Sequence, residues 1–221
     1  MDILQRHEIF EIDVLERLNS AKLLEGLVFG GGTMLRLCHE LNRYSVDLDF
    51  WFIKNVPEAE FFKKMRDHLG ASYEVTDAQI KYHTILLELR SADHPKRLKI
   101  EVRKGKVECD YEERIAFSKY ATKQVVLRVH TLPQMMTNKV EAALSRKEIR
   151  DFFDIEFLLR RGIPLPSDSQ KLAGLKKAAA SFNEKDFKVT LGSILEPDTR
   201  KYYAEKKFTY LLEKIESLGL S

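Results

Sequence analysis

The sequence is poor in the features that mark several classes of protein. It has only two cysteines, neither in a C-x-x-C pair, which excludes a disulfide framework. Only 10 glycines and 6 prolines occur among 221 residues, and 44% of the residues are hydrophobic, which argues against collagenous, low-complexity and disordered chains. No run approaches the ~20 apolar residues that a bilayer span needs. The sequence therefore predicts a reduced, cytoplasmic globular protein with no membrane partner.

Charge is unevenly distributed, although the formal net charge is only +3. Residues 1–95 hold 16 acidic and 11 basic side chains, whereas residues 96–128 hold 10 basic and 5 acidic ones. A basic block beside an acidic region is typical of a protein that holds a polyanion near a metal site. Lysines on the solvated face of a strand are the simpler explanation, and composition leaves both interpretations open.

Hydrophobic periodicity divides the chain into a mixed first part and a helical second part. Apolar residues at three-residue spacing predict a helix over 8–21 with a polar face of glutamates and an arginine. A strand over 26–29 then meets a glycine-rich turn, and Thr33 is predicted to cap the next helix. Further strands are predicted at 45–53, 71–76, 82–91, 97–103 and 124–129, a helix ends at Gly70, and helices follow near 131–146, 149–161, 168–182, 184–193 and 203–218. This pattern predicts an α+β fold, with a mixed-sheet domain with flanking helices over residues 1–130 and a helical domain over 131–221.

Asp47 and Asp49 stand two residues apart on a predicted strand. Their side chains therefore project from one face, while Leu48 points the other way. Adjacent carboxylates repel each other unless a cation lies between them, and Mg²⁺ prefers oxygen ligands. The pair predicts a divalent-cation site. An exposed edge strand, on which acidic residues discourage sheet association, explains the same pattern.

The glycine-rich turn is the second chemical feature. Gly31, Gly32 and Thr33 lie where a strand meets a helix, and bare backbone amides at a helix N-terminus bind phosphate. The turn lacks the lysine of a P-loop and the G-x-G-x-x-G pattern of a dinucleotide fold. Because the chain returns to Asp47 one helix later, the two halves of a metal–triphosphate site are predicted to meet.

A third oxygen ligand is needed where two metal ions assist phosphoryl displacement. Glu101 is the best candidate, as a lone acid on the same strand face as Lys99 and Arg103. A cross-strand ion pair with a neighbouring basic residue is the alternative. The six histidines include no HxxxH or HExxH spacing, so zinc hydrolysis has no support.

Together these motifs resemble the AbiEii/AbiGii nucleotidyltransferase-like toxins, a branch of the polymerase-β-type nucleotidyltransferase superfamily. Gly32-Thr33 precedes the Asp47-x-Asp49 pair by 13 residues. The family's R-x-S-x-D-x-D-F run is matched at Arg43, Ser45, Asp47, Asp49 and Phe50, and its later motifs are matched by the Lys139–Arg146 helix and by Arg150, Asp151 and Asp154. The resemblance covers residues 25–161.

The resemblance implies a metal-dependent nucleotidyltransferase of the polymerase-β-type fold, acting as the toxin of a toxin–antitoxin or phage-defence pair. It implies an NTP substrate, an RNA acceptor such as the tRNA 3′ end, and a possible antitoxin partner. Two Mg²⁺ ions would bind Asp47, Asp49 and Glu101, which together with Lys139 form the catalytic set. The implied nucleotide-binding residues are Gly31, Gly32, Thr33, Arg43, Ser45, Lys139, Arg146, Asp151 and Asp154.

Several interpretations remain open at this level. If the two helices around residues 139–150 are nearly continuous, Lys139, Arg146 and Arg150 form one positive stripe facing the triphosphate, whereas an exposed cationic face is the alternative. Asp151 and Asp154 are either acids favoured by a helix dipole or groups that orient Lys139 and Arg150. The acceptor could also be a small-molecule or protein hydroxyl, and a non-catalytic NTP-binding module is a further alternative.

Overall fold

Residues 1–218 are described by a computed structural model, in which the chain forms two compact units. The first unit comprises Met1–Glu40 and Tyr44–His130, and the second comprises Leu41–Arg43 together with the chain from Thr131 onward. The division predicted after residue 130 did not anticipate that Leu41–Arg43 is part of the helical unit. The last three residues of the predicted helical domain lie outside the described residues.

The first unit is built on a seven-stranded mixed sheet with three helices. Its strand order is β3-β4-β5-β2-β1-β7-β6, in which β1 pairs with β7 and β2 with β5 in parallel, and the other neighbours are antiparallel. The elements are α1 (Ile3–Ser20), β1 (Leu27–Gly30), α2 (Gly31–His39), β2 (Asp47–Phe52), α3 (Glu58–Gly70), β3 (Glu74–Ile80), β4 (Thr84–Arg90), β5 (Leu98–Lys106), β6 (Tyr111–Ala116) and β7 (Val125–His130). The mixed sheet with flanking helices confirms the predicted α+β class.

Strand β2 lies at the centre of this sheet and separates two chemical environments. Its apolar residues Leu48 and Phe50 are almost completely buried, whereas the alternate residues Asp47 and Asp49 are partly accessible. Side chains that alternate along a strand point to opposite faces, so the two aspartates share the accessible face. The alternation read from the sequence is therefore realised in β2.

The start of one helix and one missed strand in this unit differ from the sequence prediction for identifiable reasons. Helix α1 begins five residues earlier than predicted, because Asp2 and Gln5 form a reciprocal capping box. Strand β6 was not predicted, because its Tyr-Glu-Glu-Arg-Ile-Ala sequence is largely charged. As an edge strand paired only with β7, β6 buries little apolar surface and shows no clear alternation.

The second unit is helical. Thr131 caps its first helix by accepting a hydrogen bond from the backbone of Gln134, as the Thr-Leu-Pro sequence predicts. Its elements are α4 (Leu132–Arg146), α5 (Ile149–Arg160), α6 (Ser169–Ala180), a π-helical turn (Asp186–Leu191), a 3-10 turn (Gly192–Ile194), α7 (Pro197–Lys206) and α8 (Thr209–Ser217). Within residues 1–218, no helix combines the length and the apolar character that crossing a bilayer requires.

The helix predicted over 203–218 is interrupted. Lys207 has a positive φ of 51° and separates α7 from α8. The break allows Phe208, which is 1% exposed, to pack with Phe152, Phe182 and Phe187 in an aromatic core. The helix is interrupted because this ring is buried, and helical periodicity in the sequence does not predict such a tertiary contact.

Candidate active site

The glycine-rich turn forms the start of α2. The helix begins at Gly31, whose φ of +74° favours glycine, and the N-cap residue Gly30 offers no side chain to the first backbone amides. Thr33 was predicted as the helix cap, and this prediction is wrong because the helix already starts at Gly31. Thr33 is buried in the first turn together with Gly32, and its hydroxyl donates a hydrogen bond to the backbone carbonyl oxygen of Asp47 at 2.6 Å. The turn is thereby attached to the start of β2.

Asp49 lies directly against this turn. A Cβ atom added to Gly31 would lie 2.2 Å from Oδ2 of Asp49, so no other residue leaves room for the carboxylate in its present position. In the sheet, Gly30 is the register partner of Asp49. The structure therefore brings the uncapped N-terminus of α2 and the second carboxylate of the acidic pair together.

Glu101 lies on the neighbouring strand β5. The parallel register places Lys99 beside Asp47 and Glu101 beside Asp49, all on the accessible face of the sheet. The Lys99 ammonium lies 3.5 Å from Oδ2 of Asp47 and 3.4 Å from Oε1 of Glu101. Burial by itself would lower the pKa of Lys99, but Asp47 and Glu101 outweigh it and raise that pKa, so the side chain is charged.

These donors fit a divalent cation in their chemistry. Three carboxylates supply the hard oxygen ligands that Mg²⁺ prefers, and a side-chain cation already occupies the gap between Asp47 and Glu101. As they stand among residues 1–218, no three His, Cys, Asp or Glu side chains are grouped closely enough to hold a metal ion. Lys99 thus lies between two of the oxygen ligands that a cation at this face would use.

The polar face predicted for the first helix is largely buried. Glu8 is 3% exposed and binds Arg36 and Ser118, with Oε1 to Nε and Oε2 to Oγ distances of 2.7 Å each. Glu11 is fully buried, and burial, Glu8 and Asp47 raise its pKa well above the usual value. Periodicity predicted a polar face of α1, and the packing of the helix buries two of its glutamates, Glu8 and Glu11.

His7 connects α1 to the chain that leads into β2. Its Nε2 donates a hydrogen bond to the carbonyl oxygen of Val46 at 3.1 Å, one residue before Asp47. Burial lowers the pKa of His7 to about 4, so the imidazole is neutral. The contact depends on the packing of α1 on the sheet, and no spacing in the sequence indicates it.

Asp154 is the centre of a buried ion cluster in the second unit. Arg43 donates to both its carboxylate oxygens, at 2.6 and 2.7 Å, and the Lys139 ammonium lies 2.6 Å from Oδ2. Burial by itself would raise the pKa of Asp154, but Arg43 and Lys139 outweigh it and hold the pKa below its usual value. The two-pronged contact of Arg43 explains why Leu41–Arg43 is part of this unit.

Asp151 extends the cluster. It is fully buried, receives a hydrogen bond from Lys139 at 3.2 Å, and receives two from Arg146 at 2.7 Å each. The predicted positive stripe along continuous helices is therefore wrong. Lys147 has φ of 52° and ends α4, Lys139 and Arg146 turn toward the acids of α5, and Arg150 pairs with Glu148. Asp151 and Asp154 thus hold the basic residues that the sequence had placed on an open face.

Ser45 lies half-buried in the segment that leads into β2. The predicted site residues thus fall into two groups. In the first unit the structure assembles Gly31, Gly32, Thr33, Asp47, Asp49 and Glu101, and in the second it assembles Arg43, Lys139, Arg146, Asp151 and Asp154. The alternative for Glu101, an ion pair with a neighbouring basic residue, is formed by Lys99 on the same strand, whereas the cross-strand pair of Lys99 with Asp47 was not anticipated.

The mixed sheet, with an acidic central strand against a glycine-rich turn, defines a nucleotidyltransferase-type fold. The family profile described as "Nucleotidyl transferase AbiEii toxin, Type IV TA system" matches residues 13–216. The chain therefore belongs to the AbiEii family of nucleotidyltransferase toxins of type IV toxin–antitoxin systems, as the resemblance in its motifs predicted. Membership implies an NTP substrate and a cognate antitoxin.

Solved structures share this fold at low sequence identity. JHP933 from Helicobacter pylori is 19% identical with a TM-score of 0.52, over 91% of this chain and 94% of that chain. MenT4, a nucleotidyltransferase toxin from Mycobacterium tuberculosis H37Rv, is 15% identical with a TM-score of 0.52, over 96% of this chain and 88% of that chain. A search of curated proteins finds no match.

Proposed function

We propose that this toxin transfers a nucleotide from an NTP to an RNA acceptor, the 3′ end of tRNA, with the help of divalent cations held by Asp47, Asp49 and Glu101. The observation that carries the proposal is the position of Asp49 against the bare Cα of Gly31, at the uncapped start of α2. An anion-binding helix N-terminus beside a carboxylate pair suits a metal-bound triphosphate.

The backbone N–H groups of Gly31, Gly32 and Thr33 would bind the triphosphate, because the N-cap Gly30 leaves these donors without a side-chain acceptor. Ser45 would add a hydroxyl from the segment before β2. Glu101, at the edge of the acidic set, would accept the proton of the attacking hydroxyl. Bound Mg²⁺ would supply charge neutralisation at the phosphates and a lowered pKa for that hydroxyl.

The cluster in the second unit holds the basic residues that the family resemblance assigns to nucleotide binding. Arg43, Lys139 and Arg146 contact the carboxylates of Asp151 and Asp154. The carboxylates hold the long basic side chains in fixed positions, which reduces the entropy lost when an anion binds. We propose that Lys139 is the catalytic member of this group.

The basic segment 96–128 supports an RNA acceptor. It contributes β5, β6 and most of β7, and exposes residues such as Lys96, Arg97 and Arg103. Cationic surface that contacts phosphates makes RNA binding strongly dependent on salt. A steep loss of acceptor affinity between low and moderate ionic strength would support RNA, whereas salt-independent kinetics would favour a small-molecule acceptor.

The direct test incubates the purified protein with Mg²⁺, α-labelled NTPs and total tRNA. Label should enter RNA, EDTA should abolish the transfer, and Asp49→Asn should reduce it by about 100-fold or more. Asp77→Asn, on edge strand β3 of the same sheet, is the matched control and should retain activity. Undiminished transfer by the Asp49 variant would refute the proposed mechanism.

A further inference from the structure

The acidic face contains a cation of its own. Lys99 extends from β5 into the gap between Asp47 and Glu101, with nitrogen–oxygen distances of 3.5 and 3.4 Å. It is the register partner of Asp47, so the fold fixes the position of its backbone beside the first carboxylate. Its ammonium therefore lies where a cation bridging these two acids would bind.

The charges around Lys99 are unbalanced. Asp47, Asp49 and Glu101 all act on its ammonium, and a fourth acid, Glu88, is its register partner on β4. Glu88 is engaged by Arg97 and Thr76. The single positive charge of Lys99 therefore faces the two carboxylates that it contacts, Asp47 and Glu101, which are the acids that a bridging divalent ion would use.

We propose that Lys99 is a built-in counter-ion that competes with divalent cations for Asp47 and Glu101, so that a metal ion bridges these two acids only when the ammonium moves away. The inference rests on the proposed function, because it assumes that the acids bind metal. It adds that Lys99 stabilises the metal-free protein and weakens metal binding.

Two physical effects determine how Lys99 changes the stability of the metal-free protein and its affinity for a metal ion. In the metal-free protein the ammonium relieves repulsion between carboxylates, which favours the folded state. A metal ion that binds the same oxygen atoms must displace that interaction, so its apparent affinity falls. Because Lys99, Asp47 and Glu101 are each about a quarter to a third exposed, solvent screens these interactions, and we expect an effect of about tenfold.

The test measures Mn²⁺ binding by calorimetry in the full-length protein. Lys99→Met removes the charge and should bind Mn²⁺ about tenfold more tightly than wild type, whereas Lys99→Arg keeps the charge and should stay close to wild type. Arg103→Met is the matched control, because Arg103 is an exposed residue on the same strand and face whose register partner is Trp51. Its Mn²⁺ affinity should be unchanged.

The second readout is the melting temperature of the protein. In EDTA, Lys99→Met should melt at a lower temperature than wild type, and adding Glu101→Gln should restore part of the loss. Mn²⁺ should then raise the melting temperature of Lys99→Met more than that of wild type. Lys99→Gln provides the same comparison if the methionine variant does not fold.

The outcomes separate the two proposals. Binding of Mn²⁺ by wild type but not by Asp49→Asn would support the metal site. If Lys99→Met then binds Mn²⁺ no more tightly than wild type, the proposed counter-ion role of Lys99 is wrong. If neither wild type nor Lys99→Met binds Mn²⁺, both the metal site and the competition of Lys99 with the metal ion are refuted.

Discussion

Replacing Asp154 by alanine is the sharpest test of the buried ion cluster. The side chains of Asp154, Arg43 and Lys139 are 0%, 2% and 7% exposed, so water screens their interactions very little. Removing the carboxylate leaves two buried cations with Asp151 as the remaining acid of the cluster. If Asp154 were only an acid favoured by the dipole of α5, its loss would cost about 0.3–1 kcal/mol.

The expected loss of stability is much larger. Breaking a buried ion pair by removing one partner typically costs about 3–5 kcal/mol, because the remaining charge lacks both its partner and its hydration. For a protein of this size, about 1 kcal/mol shifts the melting temperature by about 2–4 °C. Asp154→Ala should therefore melt about 6–20 °C below wild type.

The measurement is calorimetric unfolding at neutral pH, with Asp198→Ala as the control. Asp198 is an exposed aspartate in the first turn of α7, and its replacement should cost less than about 1 kcal/mol. A melting temperature for Asp154→Ala within about 4 °C of wild type, combined with lost NTP binding, would show that Asp154 acts on the nucleotide instead of on the cluster.

Two further predictions concern the first unit. Gly31→Ala should lower transferase activity at least about tenfold without loss of fold, because its Cβ would displace the carboxylate of Asp49. Gly105 also has a positive φ, of +78°, but open space around its Cα, so Gly105→Ala should lower stability and leave activity unchanged. Equal activity in both variants would contradict this prediction. Glu11 has a raised pKa in the folded protein, so the unfolded chain releases a proton that the folded chain keeps, and stability falls as pH rises above about 4.3. Glu11→Gln should therefore lose less stability than wild type as pH rises above about 4.3 in thermal unfolding, and parallel pH curves would contradict it.

Helix and strand positions could be predicted wherever local pattern and local chemistry agree. The alternation in β2 and the Thr131 cap of α4 are examples, because each depends on residues only a few positions apart. The prediction of Thr33 as the helix cap was wrong, because the helix already begins at Gly31, which has a positive φ. Strand β6 was missed because an edge strand needs no apolar face.

The candidate site shows the same limit. The sequence singled out Asp47, Asp49 and the glycine turn, since their chemistry is visible in residue type and spacing. It also predicted that the turn and the acidic pair meet, but not that Asp49 is the residue that lies against Gly31, because this contact follows from the pairing of β1 with β2. The polar face of α1 was predicted, but the burial of Glu8 and Glu11 was not, because helical periodicity does not show which face meets a sheet.

The sequence by itself determined the family, the two-part organisation and the candidate site residues, because motifs and hydrophobic periods are local properties of a chain. Tertiary structure alone decided the partners of the charges. The parallel register of β2 and β5 places Lys99 between two acids, and the packing of α4 and α5 turns Lys139 and Arg146 inward to Asp151. Coulomb interactions depend on distance in space, and only the folded chain fixes that distance.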